Sequence, residues 1–159
     1  MSEHDFLLQR VQPAMVGLID GSLSTLAPIF GIALASHKPL FAFVAGLVTA
    51  IGAGISMGFS EGLSDTGELT GRGNPIMRGT ITGGGTFVGG ILHTLPFLIP
   101  HYRAAIITAI VVVALELIIL AWLRARYFGD TFLRALTIVT VAGILIASVS
   151  AGLGNQIGG

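Results

Sequence analysis

The chain has no cysteine and very little charge: only 10% of its 159 residues are Asp, Glu, Lys or Arg. Without cysteine there is no disulfide framework, no thiolate metal site and no dithiol redox motif. Eight basic residues balance eight acidic ones, so no basic surface points to nucleic acid. A soluble domain carries about 25% charged residues, and a globule of this size with so few could not hide its apolar surface from water. The sequence also lacks a P-loop, an HExxH pair and any serine–histidine–aspartate pattern, which argues against ATP drive and against an enzyme.

What is present is apolar. Hydrophobic residues make up 53% of the chain and the mean hydropathy is +0.88. A bilayer core about 30 Å thick takes roughly 20 mainly apolar helical residues. Five stretches satisfy this, at about Ala14–Ala35, Leu40–Leu63, Ile76–Ile99, Ala104–Leu123 and Phe132–Leu153. The expected fold is all-α, a polytopic membrane protein with five transmembrane helices. Met1–Gln12 reads as a short soluble tail, with an interfacial turn around Phe6, Leu7 and Leu8, and Gly154–Gly159 as a flexible tail that includes Asn155 and Gln156. Pro13 falls at the first turn of the first helix, where proline is tolerated. Trp122, Tyr127, Phe128 and Tyr102 mark segment ends as an interfacial belt.

With the N-terminus in the cytoplasm, the inner segments hold Arg10, Arg72, Arg78, Arg124, Arg126 and Arg134, and the outer side only Lys38 and Arg103. This predicts a cell (inner) membrane protein, N-terminus inside and C-terminus outside. Small residues recur every fourth position at Gly46, Ala50, Gly54, Gly58 and Gly62, with shorter rows at Gly17 and Gly21, Gly79 and Gly83, and Gly85 and Gly89. Such rows let helix backbones approach closely, within one subunit or across a homodimer seam.

Each ionisable residue inside a segment is a functional candidate because hydrocarbon penalises charge. Asp20 lies about two turns into the first helix with Ser22, Ser24 and Thr25 adding oxygen atoms nearby; the alternative is an aspartate bonded to those serines. Glu61 ends the second helix with Met57 one turn deeper on the same face. Because the first two helices are joined by a tight turn, Asp20 and Glu61 are expected to share one depth. Two carboxylates with a thioether suit a borderline divalent cation rather than magnesium or calcium. The alternative makes Glu61 a solvated interfacial residue and Met57 core filler. Glu116, the deepest charge, is either a proton carrier or a neutral hydrogen-bonding group. His93 could titrate or ligate, or simply pack. His37 and His101 read as solvated loop residues, and Asp65 and Glu68 as part of a polar loop with a subsidiary claim on metal.

At these residues the chain resembles the vacuolar iron transporter family. The stretch Val16-Gly-Leu-Ile-Asp20-Gly-Ser-Leu-Ser-Thr-Leu-Ala-Pro28 is similar to its Asp-Gly signature, and Ile55-Ser-Met57-Gly-Phe-Ser-Glu61-Gly-Leu-Ser64 to its Ser-Met…Glu-Tyr-Leu-Ser signature. Gly89-Gly-Ile-Leu-His-Thr-Leu-Pro96-Phe is similar to its Gly…Leu-Pro-Phe segment. The resemblance runs from about Gln12 to near the end and is greatest to the membrane half of bacterial membrane-bound ferritins (rubrerythrin–vacuolar iron transporter fusions), which match Ser64 to Pro75 as well. It implies a homodimer that exchanges cytosolic iron(II), and often manganese(II), for protons, with Asp20 and Met57 as pathway ligands and Glu61 at the cytoplasmic entrance. The metal is cargo, and no resident cofactor is implied. Plant and yeast members insert a metal-binding domain where this chain has only Ser64 to Pro75, and Gly62 stands where the signature has tyrosine. About a dozen residues precede the first segment, so metal capture is expected to be direct or served by a separate ferritin-like protein. The competing readings are a non-transporting anchor or sensor that recruits such a partner, and a cation channel.

Overall fold

The computed structural model describes residues 1–158, and among these there are helices and no strand. Five long helices run through it: α1 (Glu3–Ser36), α2 (Pro39–Ser64), α3 (Pro75–Leu92), α4 (Tyr102–Phe128) and α5 (Phe132–Gly158). All except α3 are long and apolar enough to cross a membrane. The 18 residues of α3 extend about 27 Å, but glycine, threonine and Arg78 dilute their apolar character.

Helix α1 begins at Glu3, so the stretch expected as a soluble tail is helical. Ser2 and Asp5 form a reciprocal capping box, the Asp5 N–H donating to Ser2 Oγ at 3.1 Å and the Ser2 N–H to Asp5 Oδ2 at 3.0 Å. Pro13 therefore lies well inside a continuous helix. It has no N–H to offer the Gln9 carbonyl, and the turn before it, Leu7–Val11, opens to π geometry with the Gln12 N–H reaching back to Leu7. A second irregularity falls at Thr25. Pro28 deprives the Ser24 carbonyl of its helical donor, and the Thr25 hydroxyl donates to the Gly21 carbonyl at 2.8 Å, a bond that bends helices. Helix α3 stops at Leu92, short of the expected Ile99, because Pro96 cannot continue it. A 3₁₀ turn, Leu95–Leu98, carries the chain onward. Helix α5 runs past Leu153 to Gly158, so the expected tail is helical up to that point, and Gly159 lies outside the described residues.

The glycine rows pack inside the protomer. The lower half of α1 does not lie directly against α2, because α3 is wedged between them. Gly17 and Gly21 of α1 face the backbone of α3 at Thr82 and Thr86, and a Cβ at Gly85 would stand 3.0 Å from the Ala14 carbonyl oxygen. On the other side of α3, a Cβ at Gly58 would stand 3.2 Å from the Gly79 carbonyl oxygen, and one at Gly54 3.0 Å from that of Gly83. Helices α1 and α2 meet most closely towards the His37–Lys38 turn, where Ile29, Ala33, Ala42, Phe97, Ala105 and Ala109 form the main apolar core. His37 caps α1 in a left-handed conformation (φ 53°), and its ring leans on Tyr102 with centroids 5.0 Å apart.

A methyl group added at Gly21 would land on the Thr86 carbonyl, whereas one at Gly52 would meet nothing within 4 Å. Gly21→Ala is expected to destabilise the detergent-solubilised protein by about 1–3 kcal/mol through overpacking. Gly52→Ala should leave it unchanged or raise stability by up to about 1 kcal/mol through helix propensity. Thermal unfolding of the two variants beside the parent checks both.

Candidate functional site

The polar residues within the bundle fall into three groups. At the end bearing the 65–74 loop, Glu61, Asp65, Arg72 and Arg78 form a closed ion-pair cluster. Arg78 is fully buried. Its Nε lies 3.3 Å from Glu61 Oε1, and its Nη1 donates to both Asp65 oxygens at 3.3 Å. Arg72 donates to Glu61 Oε1 at 2.6 Å and to Asp65 Oδ2 at 3.3 Å. Two guanidinium groups thus neutralise two carboxylates. Asp65 also accepts from the Gly67 N–H and the Thr70 hydroxyl, and Gln9 of α1 donates to the Gly71 carbonyl at 3.2 Å. The short loop is consequently tied to α1, α2 and α3. Glu61, expected as an open entrance ligand, would have to leave two arginines before it could meet a cation. Glu68 is exposed at the loop surface.

The second group is a single residue. Asp20 lies near the midpoint of α1, sixteen positions before Ser36, or about 24 Å along the axis. Its carboxylate is partly exposed and has no hydrogen bond or ion pair to another described residue, so the serine-bonded arrangement considered from sequence is not formed. Gly17, Gly21 and Thr25 make the face of α1 that meets α3, and Val11 and Met15 pack with Leu120 of α4. Asp20 is on neither face. It shares a stripe with exposed Val16 one turn below and Ser24 one turn above, and the Ser24 hydroxyl is buried without a partner. Counted from the His37–Lys38 turn, Met57 comes at nearly the depth of Asp20, while Glu61 lies about 9 Å beyond it; the two acids do not share one depth. Among the described residues no three His, Asp or Glu side chains converge to hold a metal ion. Within the protomer Glu61 is engaged by Arg72 and Arg78.

The third group joins three helices. His93, the residue that caps α3, is fully buried. Its Nδ1 stands 2.7 Å from Glu116 Oε2 on α4, and its Nε2 2.6 Å from the Thr25 hydroxyl on α1. Both ring nitrogens are occupied, which leaves His93 no lone pair for a metal. The chain of hydroxyl, imidazole and carboxylate has the order of a nucleophile–base–acid triad. Thr25, however, is fully buried and lies between the Gly21 carbonyl and the imidazole, so the hydroxyl is not offered to a substrate. Thr25, Arg72 and Arg78 carry no sequence signal that assigns them these roles; their side-chain partners are 7 to 68 positions away.

Between α2 and α3 an open apolar groove of about 610 Å³ is left by the glycine rows and walled by Ile55, Phe59, Leu63, Ile76 and Phe87. It holds no ionisable residue and is no metal site. No family model, curated protein or solved structure matches this chain.

Burial works against ionisation of Asp65, but the hydrogen bonds from Arg78, Gly67 and Thr70 and the charge of Arg78 outweigh it, holding the carboxyl below its ordinary value of 3.8. A lowered folded pKa contributes stability above the unfolded value, and that contribution disappears as pH falls through the folded one. Hydrogen exchange in Thr66–Gly73, corrected for intrinsic rate, should therefore accelerate below about pH 3.8, and in Asp65→Asn should already be fast at neutral pH. Arg78→Met leaves two carboxylates facing Arg72 alone and is expected to cost on the order of 3 kcal/mol, the size found when one partner of a buried pair is removed. Unfolding in detergent measures it.

Proposed function

We propose that the protein carries a divalent metal ion, iron(II) or manganese(II), across a membrane in exchange for protons, and that it works as a homodimer. The observation that carries this reading is Asp20: an aspartate half-way along an apolar helix, open on its outer face and paired with no other described residue. An ionised carboxylate facing lipid at a helix centre costs about 2.5–3.5 kcal/mol even on insertion scales. Its outer face must meet protein, water or a cation. A second copy related by a two-fold axis meets the same stripe with its own Asp20. Two facing carboxylates repel unless a proton or a doubly positive ion lies between them.

Met57, at a similar depth, adds a thioether that favours a borderline metal over magnesium or calcium. The resemblance to vacuolar iron transporters at Asp20, Met57 and Glu61 agrees with this assignment. Protons taken up inside the protein weaken its hold on the metal, so acidity on the receiving side drives release. The six-to-two distribution of basic residues supports a cytoplasmic N-terminus and outward export. Glu61 belongs to the approach: its pairing with Arg72 and Arg78 keeps that end closed to cations until the cluster opens. A separate ferritin-like protein remains a candidate for delivering the metal.

Two measurements test the reading. In proteoliposomes, manganese(II) uptake should fall at least about 10-fold in Asp20→Ala, since loss of a ligand costs no less than loss of an outer-shell partner; undiminished uptake removes Asp20 from the path. Because the chain has no cysteine, Val16→Cys introduces the sole thiol on the Asp20 stripe. Mild oxidation in membranes should give a cross-linked dimer, while Ile119→Cys, on an exposed face of α4, should stay monomeric on the same non-reducing gel.

A further inference from the structure

We propose that His93 and Glu116, positioned by Thr25, form a one-proton binding site that supplies the proton exchanged for metal; this rests on the transport reading above and names the residues for its second ion. The argument starts from donors and acceptors. A threonine hydroxyl has one hydrogen. When Thr25 gives it to the Gly21 carbonyl at 2.8 Å, it accepts toward His93, and His93 Nε2 carries a hydrogen. The other ring nitrogen, Nδ1, stands 2.7 Å from Glu116 Oε2. In that arrangement a single proton occupies the gap, as imidazolium facing carboxylate or as neutral imidazole facing carboxylic acid. The two forms differ only in which atom holds it.

Removing this proton puts a nitrogen lone pair against a carboxylate oxygen in a site where His93 is fully buried and Glu116 is 7% exposed. Low dielectric magnifies that repulsion, so either the ring takes a hydrogen at Nδ1 while Thr25 turns its own from the Gly21 carbonyl to Nε2, or the contact opens. Either response reaches the bond between Thr25 and His93. Thr25 lies at the irregular turn of α1, and the carbonyl it holds belongs to Gly21, the residue after Asp20. The proton's presence is thereby coupled to the helix segment that carries Asp20. Glu116 Oε1 is buried without a partner, an unspent acceptor where a proton could arrive or leave.

No other ionisable group competes for this role. Helix α2 has none before Glu61, α4 none between Arg103 and Arg124 except Glu116, and α5 none after Arg134. On α3 the other is Arg78, held by Glu61 and Asp65 at the far end of the helix. On α1 the nearest is Asp20, on a different face. Thr94, buried beside His93, donates its hydroxyl to Gly90 and does not titrate.

Glu116→Gln separates the proton from the metal, because an amide N–H can donate to His93 Nδ1 and preserve the contact with nothing to release. Proteoliposomes with a lumenal pH dye are assayed for manganese(II)-driven proton movement and, at equal pH on both sides, for exchange of labelled against unlabelled manganese(II). Glu116→Gln should retain metal-for-metal exchange within about threefold of the parent while the dye response per metal falls at least 10-fold. An unchanged dye response overturns the proposal, and so does loss of metal exchange in dispersed, correctly sized protein, which would make Glu116 part of the metal step or of the fold. If Glu116→Gln does not yield dispersed protein, His93→Gln is judged by the same two readouts. A parent protein that moves no manganese(II) would overturn the transport reading itself. A parent that couples metal to protons, with a variant that still does so, overturns only the assignment of His93 and Glu116.

Discussion

Helix α3 lies against α1 and α2 backbone to backbone, and the placement of every polar group in the bundle follows from that contact. Glycines at positions 17, 21, 54, 58, 79, 83, 85 and 89 remove the side chains that would hold the three helices apart. Lipid gives little hydrophobic reward for helix association, so close van der Waals packing has to supply it. Here the packing is on both sides of one short helix. That allows α3 to be the least apolar of the five and still sit inside the bundle.

The two ends of α3 consequently hold the two charge clusters. Near its start, Arg78 is drawn fully inside and must be compensated, which Glu61 and Asp65 do with help from Arg72. At its end, His93 is drawn inside as well and meets Glu116 and Thr25. Both arrangements obey one rule: charge removed from water must find opposite charge or a hydrogen bond. Asp20 is the exception, partly exposed on the outer face of α1 and paired with no other described residue. An exception to so strong a rule, at the centre of an apolar helix, is what gives that residue its functional weight.

Much of this was legible in the sequence. The apolar runs predict the helices, and the tight Ser36–Pro39 turn predicts that α1 and α2 meet. Helix ends were read less well. Ser2 and Asp5 carry a capping box that extends α1, and Pro96 ends α3 early, both local signals that hydropathy overrides. The four-residue glycine period announces close packing but is equally compatible with a dimer seam; only the carbonyls of Thr82, Gly83 and Gly79 opposite those glycines assign it to the protomer. Singling out Glu61 was sound as chemistry, yet nothing in its neighbourhood along the chain places Arg78 seventeen positions on against its carboxylate. The His93–Glu116 pair has the same character. Each residue stood out alone, but their 2.7 Å contact is a product of helix packing and leaves no periodic trace.

Helix α1 is the element through which these parts can act together. Pro28 frees the Ser24 carbonyl, Thr25 bonds backwards to Gly21, and the result is a local weakening one turn from Asp20. A straight helix would isolate Asp20 from events at His93, because an unbroken ladder of backbone bonds resists bending. A softened one does not. The segment 21–25 is gripped on one side by α3, where Gly21 sits on the Thr86 backbone, and on the other by a hydroxyl whose partner is an imidazole facing an acid. The side chain that joins that pair to α1 is thus the one at the turn beside Asp20. The half of α1 beyond Thr25 is anchored separately, by Ile29 and Ala33 in the main core, so the irregular turn at Thr25 divides the helix into one half held by that core and one half, with Asp20, held on the α3 backbone.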